Sequence, residues 1–188
     1  MDSAYKKIVR ENVRRLFEKT ATRRLELQAF GKPCVIRPDG ILLDGKKEED
    51  VLGILISLYA LHAGKEEMVL EPFHAFKDLP HSAPYAGAFA TRTQQVLVPR
   101  VEAIQKARET ILGHLGGTPG PASVGGDFSF VLYPFPKIAL CYIFYLADAD
   151  FPASATCLFS NNAFRFAPID ALADTAEYTS KAILEILD

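Results

Sequence analysis

The sequence predicts an α+β fold, in which an antiparallel β-meander sheet carries four to five helices packed mainly on one face. Residues 125–160 form a long, strongly β-forming and nearly uncharged run, which is typical of a sheet at the centre of a protein. The segments on both sides of this run repeat their apolar residues with helical spacing. The length of 188 residues is that of a single domain, which buries roughly 70% of its unfolded surface.

The N-terminal quarter predicts a basic helix followed by a small meander. Residues 1–20 place their apolar side chains on one stripe and their charged side chains on the other face. Three short runs between residues 24 and 44 alternate apolar and polar residues and are separated by turn signals, of which Asp39-Gly40 is the strongest. These runs predict three antiparallel strands.

The next segments predict helices around an irregular stretch. Residues 46–50 should open a second helix, because carboxylates are favoured in a first turn, and residues 51–63 are apolar nearly all round and should be buried. Residues 70–95 contain three prolines and predict irregular structure, with one brief helix after Pro84. A long helix is predicted to begin at Pro99.

The C-terminal half contains a connector, the central strands and a last helix. Residues 116–126 are rich in glycine and proline and contain no lysine, and a helix precedes them where a phosphate-binding loop requires a strand, so they predict a plain connector within the domain. Strands are predicted at residues 127–133, 138–146 and 154–160. A final helix is predicted to begin at Pro168.

The three cysteines do not form a recognisable motif. Cys34, Cys141 and Cys157 have no CxxC spacing, which argues against a disulfide framework and a standard zinc site, so a reduced, cytoplasmic protein is expected. If the loop after the second central strand closes a symmetric hairpin, Cys141 lies opposite Cys157. Facing thiols could oxidise or bind a soft metal, whereas free cysteines in strands are more often packed as small apolar residues.

The distribution of charged and apolar residues limits the kinds of partner that are expected. A net charge of −2 gives no overall basic field, so no nucleic acid is expected as a partner. No signal peptide and no membrane partner are expected, since the apolar run at residues 51–63 is shorter than the roughly 20 residues that a membrane helix needs. Residues 1–24 hold eight basic and three acidic side chains, whereas residues 126–188 hold three basic and eight acidic ones. These regions could attract each other in a homo-oligomer, or the basic helix could dock on an anionic partner.

Five segments carry a resemblance to a known family: LGILISLYALHAG, FHAFKDLP, PYAGAFATRT, GGDFSFVLYPFPKIAL and YLADADFPASATCLFS, followed by the closing helix. They span most of residues 40–187 and are similar to a prokaryotic family designated domain of unknown function 3786. The resemblance implies a bacterial or archaeal protein from a family whose members are sometimes joined to iron–sulfur modules in anaerobes. This chain lacks the clustered cysteines of those fused members, so it should bind no cluster by itself. The resemblance implies a domain and supplies no activity.

The candidate site residues are three carboxylates and two histidines. Asp148 and Asp150 lie in the loop between two central strands, and Asp127 begins the neighbouring strand, beside that loop. Carboxylates at strand ends could hold a divalent metal or share a proton, whereas aspartates in turns commonly accept hydrogen bonds from the backbone. His74 and His81 lie in the irregular segment, which could cover a pocket.

Three functions are compatible with these features. The leading hypothesis is a binding or accessory module for a small molecule or a protein, with a pocket where residues 70–95 meet the Asp148 loop. The second is a small enzyme that uses Asp127, Asp148 and Asp150 together with a histidine, with or without a divalent metal. The third is a protein-interaction subunit that docks through its basic N-terminal helix. No cofactor is predicted, and the sequence does not decide whether the protein is an enzyme.

Overall fold

A computed structural model describes residues 4–188, which fold into two antiparallel sheets and six α-helices. The helices are α1 (Ala4–Lys19), α2 (Val51–His62), α3 (Ala86–Phe89), α4 (Val101–Lys106), α5 (Arg108–Leu115) and α6 (Ile169–Leu187). The smaller sheet contains β1 (Leu25–Ala29), β2 (Lys32–Arg37), β3 (Gly40–Leu43) and β4 (Lys46–Glu48), in that order. The larger sheet contains β5 (His74–Ala75), β6 (Thr118–Pro119), β7 (Phe128–Phe135), β8 (Ile138–Tyr145) and β9 (Ser154–Phe159), in the order β5-β9-β8-β7-β6. The predicted α+β fold class is confirmed, and no helix within the described residues has the length and apolar character required to span a membrane.

The smaller sheet has one strand more than the sequence predicted. β4 pairs with β3, so that Glu48 lies opposite Ile41, and α2 begins only after this strand. The prediction that residues 46–50 open α2 is therefore wrong. The reason is the turn at Asp44 and Gly45, whose φ angles of 51° and 73° are left-handed. An Asp-Gly pair favours this tight hairpin geometry, which returns the chain as a strand.

The larger sheet is covered mainly by helices on one face, as predicted. Seven of the eight residues of β8 are buried, and only Tyr145 at its end is exposed. On the face below α6, the Tyr142 hydroxyl lies 3.0 Å from the Ser180 Oγ of that helix. The opposite face is covered by irregular chain that includes Met68 and Phe73. The buried residues of this second face are Val131, Ala139, Cys141 and Ile143.

Both edges of the larger sheet are formed by very short strands. β5 and β6 contribute two residues each, while the three strands between them have six to eight residues. Pro119 in β6 has no N–H group to offer to a further strand, which is why proline is tolerated at an edge. The long apolar strands therefore lie inside the sheet.

The long helix predicted from Pro99 is divided into three pieces. Residues Gln95–Arg100 form a 3₁₀ helix that contains Pro99, and α4 and α5 follow with a break at Ala107. Ala107 has φ −90° and ψ 6°, which is outside the helical region and turns the chain between the two helices. The amphipathic pattern predicted the buried residues of this region but not the break, since Ala107 itself favours a helix.

Cys141 and Cys157 do not face each other, so that prediction is wrong. Cys141 pairs with Leu158, and Cys157 pairs with Tyr142. Tyr145 pairs with Ser154, so the register of β8 and β9 differs by one residue from the one that would place the two cysteines opposite each other. A shift of one residue reverses the side of the sheet on which a side chain lies, so the two thiols are on opposite faces.

We expect all three thiols to resist alkylation in the folded protein. Cys34, Cys141 and Cys157 are each at most 2% exposed. Burial raises the pKa of Cys34 and of Cys141 to about 12, and it raises the pKa of Cys157 well above its ordinary value. Because the thiolate is the reactive form, iodoacetamide at pH 8 should leave the native mass unchanged and add three groups in denaturant. Fast modification of one thiol in the native protein would contradict this burial.

Candidate functional site

Asp127 lies beside the end of β8, as the predicted strand order required. Its Oδ2 accepts a hydrogen bond of 2.7 Å from the N–H of Leu146, which follows β8 directly. Its own N–H donates to the carbonyl of Phe144 at 2.8 Å. The structure therefore brings Asp127 to the same end of the sheet as the Asp148 loop. A surface depression of about 440 Å³ lies there, lined by Asp127, Tyr145, Leu146, Asp148, Phe151, Pro152 and Ser154.

The carboxylates at this end of the sheet hold turns together. Asp148 Oδ1 accepts hydrogen bonds from the N–H groups of Asp150 and Phe151, at 2.8 Å and 2.7 Å. This is the side-chain-to-backbone pattern by which aspartate stabilises a tight turn. Within residues 4–188, no group of three or more His, Cys, Asp or Glu side chains is placed to hold a metal ion. The three predicted carboxylates therefore do not form a metal-binding cluster.

We expect Asp148→Ala to lower the free energy of unfolding by about 1 kcal/mol, because two backbone N–H groups lose their acceptor. Asp150→Ala is the matched control: this exposed side chain accepts no hydrogen bond from the described residues, and its loss should change stability by less than about 0.5 kcal/mol. Urea unfolding of both variants measures the difference. Equal effects of the two substitutions would show that the Asp148 hydrogen bonds do not stabilise the loop.

Of the two predicted histidines, His74 lies at the far end of β9 from these carboxylates. His74 opens β5 opposite Phe159, and its Nε2 lies 3.1 Å from the side-chain nitrogen of Asn161. Phe159 is at the far end of β9 from the Asp148 loop, a distance of roughly 16 Å along an extended strand. His81 is exposed in a turn with φ 64°. The structure therefore does not bring His74 together with the carboxylates.

The irregular segment and β9 form a partly open cavity of about 420 Å³, which we call the β9 cavity. The sequence predicts a pocket between this segment and the Asp148 loop, whereas this cavity lies further along β9, at Thr156 and Cys157. Its lining contains one cationic side chain and no carboxylate. The lining residues are Ala75, Phe76, Lys77, Ala86, Phe89, Ala90, Gln94, Thr156 and Cys157.

A rigid aromatic layer and a π-helical turn form the walls of the β9 cavity. The rings of Phe76 and Phe89 are stacked with centroids 4.4 Å apart, and both contact Phe159 of the sheet. Residues Ala90–Gln94 form a single π-helical turn, a feature that is frequent at functional sites. The side-chain oxygen of Gln94 accepts a hydrogen bond of 3.2 Å from the N–H of Cys157, which joins the turn to β9.

A buried polar network fixes this π-helical turn from the other side. Ser180 Oγ donates to the carbonyl of Thr93 at 2.8 Å, and a serine hydroxyl has one proton to donate. The Tyr142 hydroxyl is therefore the donor in its 3.0 Å contact with Ser180. Burial raises the pKa of Tyr142 well above its ordinary value, so it remains protonated and keeps this role. The Thr93 hydroxyl itself is buried and has no hydrogen-bond partner among the described residues.

The residues that line the β9 cavity were not predicted individually. The sequence indicated only that the irregular segment, residues 70–95, would border a pocket. The signal was the alternation of small and aromatic residues in PYAGAFATRT. Ala86 and Ala90 are four positions apart and so lie on one helical face, where their short side chains leave space. A run of small residues beside buried aromatics is a pattern that could have indicated the cavity.

The basic helix α1 carries fewer free charges than its composition suggests. Arg14 forms ion pairs with Glu11, at 2.6 Å, and with Glu18. Lys6 lies 3.3 Å from a carboxylate oxygen of Glu49. These contacts neutralise part of the basic surface within the protein itself. Docking of α1 on an anionic partner stays a prediction.

The fold and the cavity together define an α+β domain with two antiparallel sheets and an apolar cavity under an irregular segment. The sequence model of one family matches residues 10–182, which is most of the chain. The chain belongs to this family, which is described as Domain of unknown function (DUF3786). No curated protein and no solved structure shows significant similarity to the chain.

Proposed function

We propose that this protein is a binding module that holds a small apolar anion in the β9 cavity. The observation that carries the proposal is the composition of the lining, which is apolar except for Lys77, Gln94 and Thr156. Small-molecule sites are commonly concave, mostly apolar and supplied with a few polar groups that orient the ligand. The volume of about 420 Å³ is within the usual range for such sites.

The charge of the cavity supports an anionic ligand. Lys77 is exposed at the wall of the cavity and forms no ion pair with another described residue. No carboxylate is among the residues that line the cavity. The apolar body of the ligand would contact Phe89 and the alanines, while its carboxylate would lie near the ammonium group.

Binding is better supported than catalysis. Asp127 and Asp148, two of the three carboxylates proposed for an enzyme, already accept hydrogen bonds from backbone N–H groups, and His74 is far along the sheet from them. A general acid or base must reach the reacting group within hydrogen-bond distance. The exposed carboxylates and the histidine do not share such a position.

The test compares two probes of matched shape and opposite charge. Isothermal titration calorimetry with phenylacetate should detect binding to the native protein, and benzylamine should bind at least about tenfold more weakly because it carries the same sign as Lys77. Phenylacetate should also raise the melting temperature, since a ligand that binds only the folded state stabilises it.

Cavity-filling variants locate the site. Ala90→Leu should abolish phenylacetate binding by occupying the cavity, and Lys77→Gln should weaken it. Ala182→Leu, which adds the same atoms to α6 away from this cavity, is the matched control and should leave phenylacetate binding unchanged. Equal binding by the wild type and by folded Ala90→Leu would disprove the proposed site.

A further inference from the structure

A second concave surface lies between the smaller sheet and the ends of two helices, and we call it the α6 groove. It has a volume of about 350 Å³. Its floor is apolar and is formed by Phe30, Leu43, Leu52, Leu115, Ala182 and Ile186. It shares no lining residue with the β9 cavity, so a ligand here would not depend on the function proposed for that cavity.

The groove exists because one small residue interrupts a row of larger ones on α6. Tyr178, Ala182 and Ile186 are spaced by four residues and so lie on one face of the helix. The methyl group of Ala182 leaves a gap between its two larger neighbours. Phe30 and Leu115 border this gap, and each retains a small exposed fraction, 8% and 7%, although both belong to the core.

The wall opposite α6 is held rigidly. Phe30 has a left-handed φ of 51°, which is rare for a bulky residue. Its N–H donates to the carbonyl of Pro134 at 2.8 Å, and its ring meets Phe135 edge to face at 5.2 Å. The following Gly31 lies directly against the backbone of His114. The groove is therefore preformed, which lowers the entropic cost of binding a ligand.

The rim of the groove carries two lysines, one histidine and one carboxylate. Lys32 is exposed and forms no ion pair with any other residue between positions 4 and 188. His114 lies in the last turn of α5, and its Nδ1 lies 2.9 Å from the carbonyl oxygen of Thr110. Lys181 lies over the ring of Tyr178 at 5.0 Å and pairs with Glu177. Glu185 is the one carboxylate among the lining residues of this groove.

We propose that the α6 groove binds a medium-chain amphiphile, with an apolar tail on its floor and an anionic head beside Lys32. The apolar floor accounts for the tail, and the unpaired ammonium group next to His114 accounts for the head. Charge complementarity at the rim selects an anion over a neutral or cationic amphiphile of equal length.

The experiment uses the full chain with decanoate as the probe, titrated by calorimetry. The wild type should bind decanoate and should bind decylamine at least about tenfold more weakly. Ala182→Leu fills the groove and should weaken decanoate binding by about tenfold or more. Ala122→Leu, at an exposed position that lines neither the α6 groove nor the β9 cavity, should leave decanoate binding unchanged.

A surface variant keeps the test independent of core packing. Lys32→Glu should weaken decanoate binding severalfold, while Lys106→Glu, with the same change of charge at the end of α4, should not.

Unchanged binding in both Ala182→Leu and Lys32→Glu would overturn the proposal, as would absence of decanoate binding to the wild type. Loss of binding in Ala90→Leu but not in Ala182→Leu would place the amphiphile in the β9 cavity and would also overturn it. A dimer in gel filtration that Ala182→Leu dissociates would show that a second copy occupies the groove instead.

Discussion

Replacing Gly31 by alanine should lower the free energy of unfolding by about 3 kcal/mol or more. Gly31 has a left-handed φ of 75°, and a non-glycine residue in this conformation costs about 1–2 kcal/mol. A Cβ atom there would also lie 2.2 Å from the carbonyl oxygen of His114 and 2.8 Å from the Cα of Leu115. Both neighbours are backbone atoms at the end of α5, so relief requires the turn to move away from the helix. Urea unfolding should show the loss as a lower midpoint with an unchanged slope.

Gly45→Ala separates the two contributions to this loss of stability, which are the left-handed backbone conformation and the contact of the Cβ atom with α5. Gly45 has nearly the same φ, 73°, but a Cβ atom there would have no neighbour within 4 Å. Its substitution should lower the free energy of unfolding by only about 1 kcal/mol, the cost of a non-glycine residue in a left-handed conformation. The difference between the two variants measures the contact between the β1–β2 turn and α5. If both variants lose the same stability, that contact is not present in solution.

Thr93→Val should stabilise the protein by about 1–2 kcal/mol. The Thr93 hydroxyl is buried without a partner among the described residues, and an unsatisfied buried hydroxyl costs about 1–3 kcal/mol relative to an apolar group of the same shape. Valine keeps the branched shape of threonine, so the surrounding packing need not change. The carbonyl of Thr93, which accepts the hydrogen bond from Ser180, is unaffected. Thermal and urea unfolding both measure the gain.

Thr179→Val is the matched control for this prediction. Thr179 is also buried on a helix, but its hydroxyl donates to the carbonyl of Thr175 at 2.8 Å. Its loss should therefore leave stability unchanged or lower it by about 1 kcal/mol. Opposite signs for the two threonines would support the unpaired state of Thr93. Destabilisation by Thr93→Val would mean that its hydroxyl has a partner in solution.

Much of the fold could be predicted because its signals are local. The hairpin at Asp39-Gly40, the apolar central strand and the helix after Pro168 each depend on residues within a few positions of one another. The strand β4 was missed although Asp44-Gly45 is an equally local hairpin signal, because the carboxylates that follow it also favour a helix start. The pairing of the cysteines was wrong by one residue, since the length of a loop does not determine its register.

The candidate site was less predictable because a cavity is formed by contacts between residues that are far apart in the sequence. Antiparallel strand order was sufficient to place Asp127 beside Leu146. The path of the irregular segment, by contrast, depends on contacts such as Phe76 with Phe89 and Gln94 with Cys157. The α6 groove joins residues from the two ends of the chain, Phe30 and Ile186, and no spacing in the sequence links them.

The two-residue strands at the edges of the larger sheet have a consequence for aggregation. β8 is eight residues long and contains no charge, proline or glycine, so its sequence has the properties of a segment that forms intermolecular β-structure when exposed. In the folded protein β7 and β9 occupy both of its sides, and the short β5 and β6 pair with two residues each of β9 and β7 at the edges of the sheet. Short edge strands and an edge proline are known protections against the pairing of sheets between molecules. The native chain is thus protected by topology rather than by charge, and partial unfolding that releases β9 would expose the segment most prone to self-association.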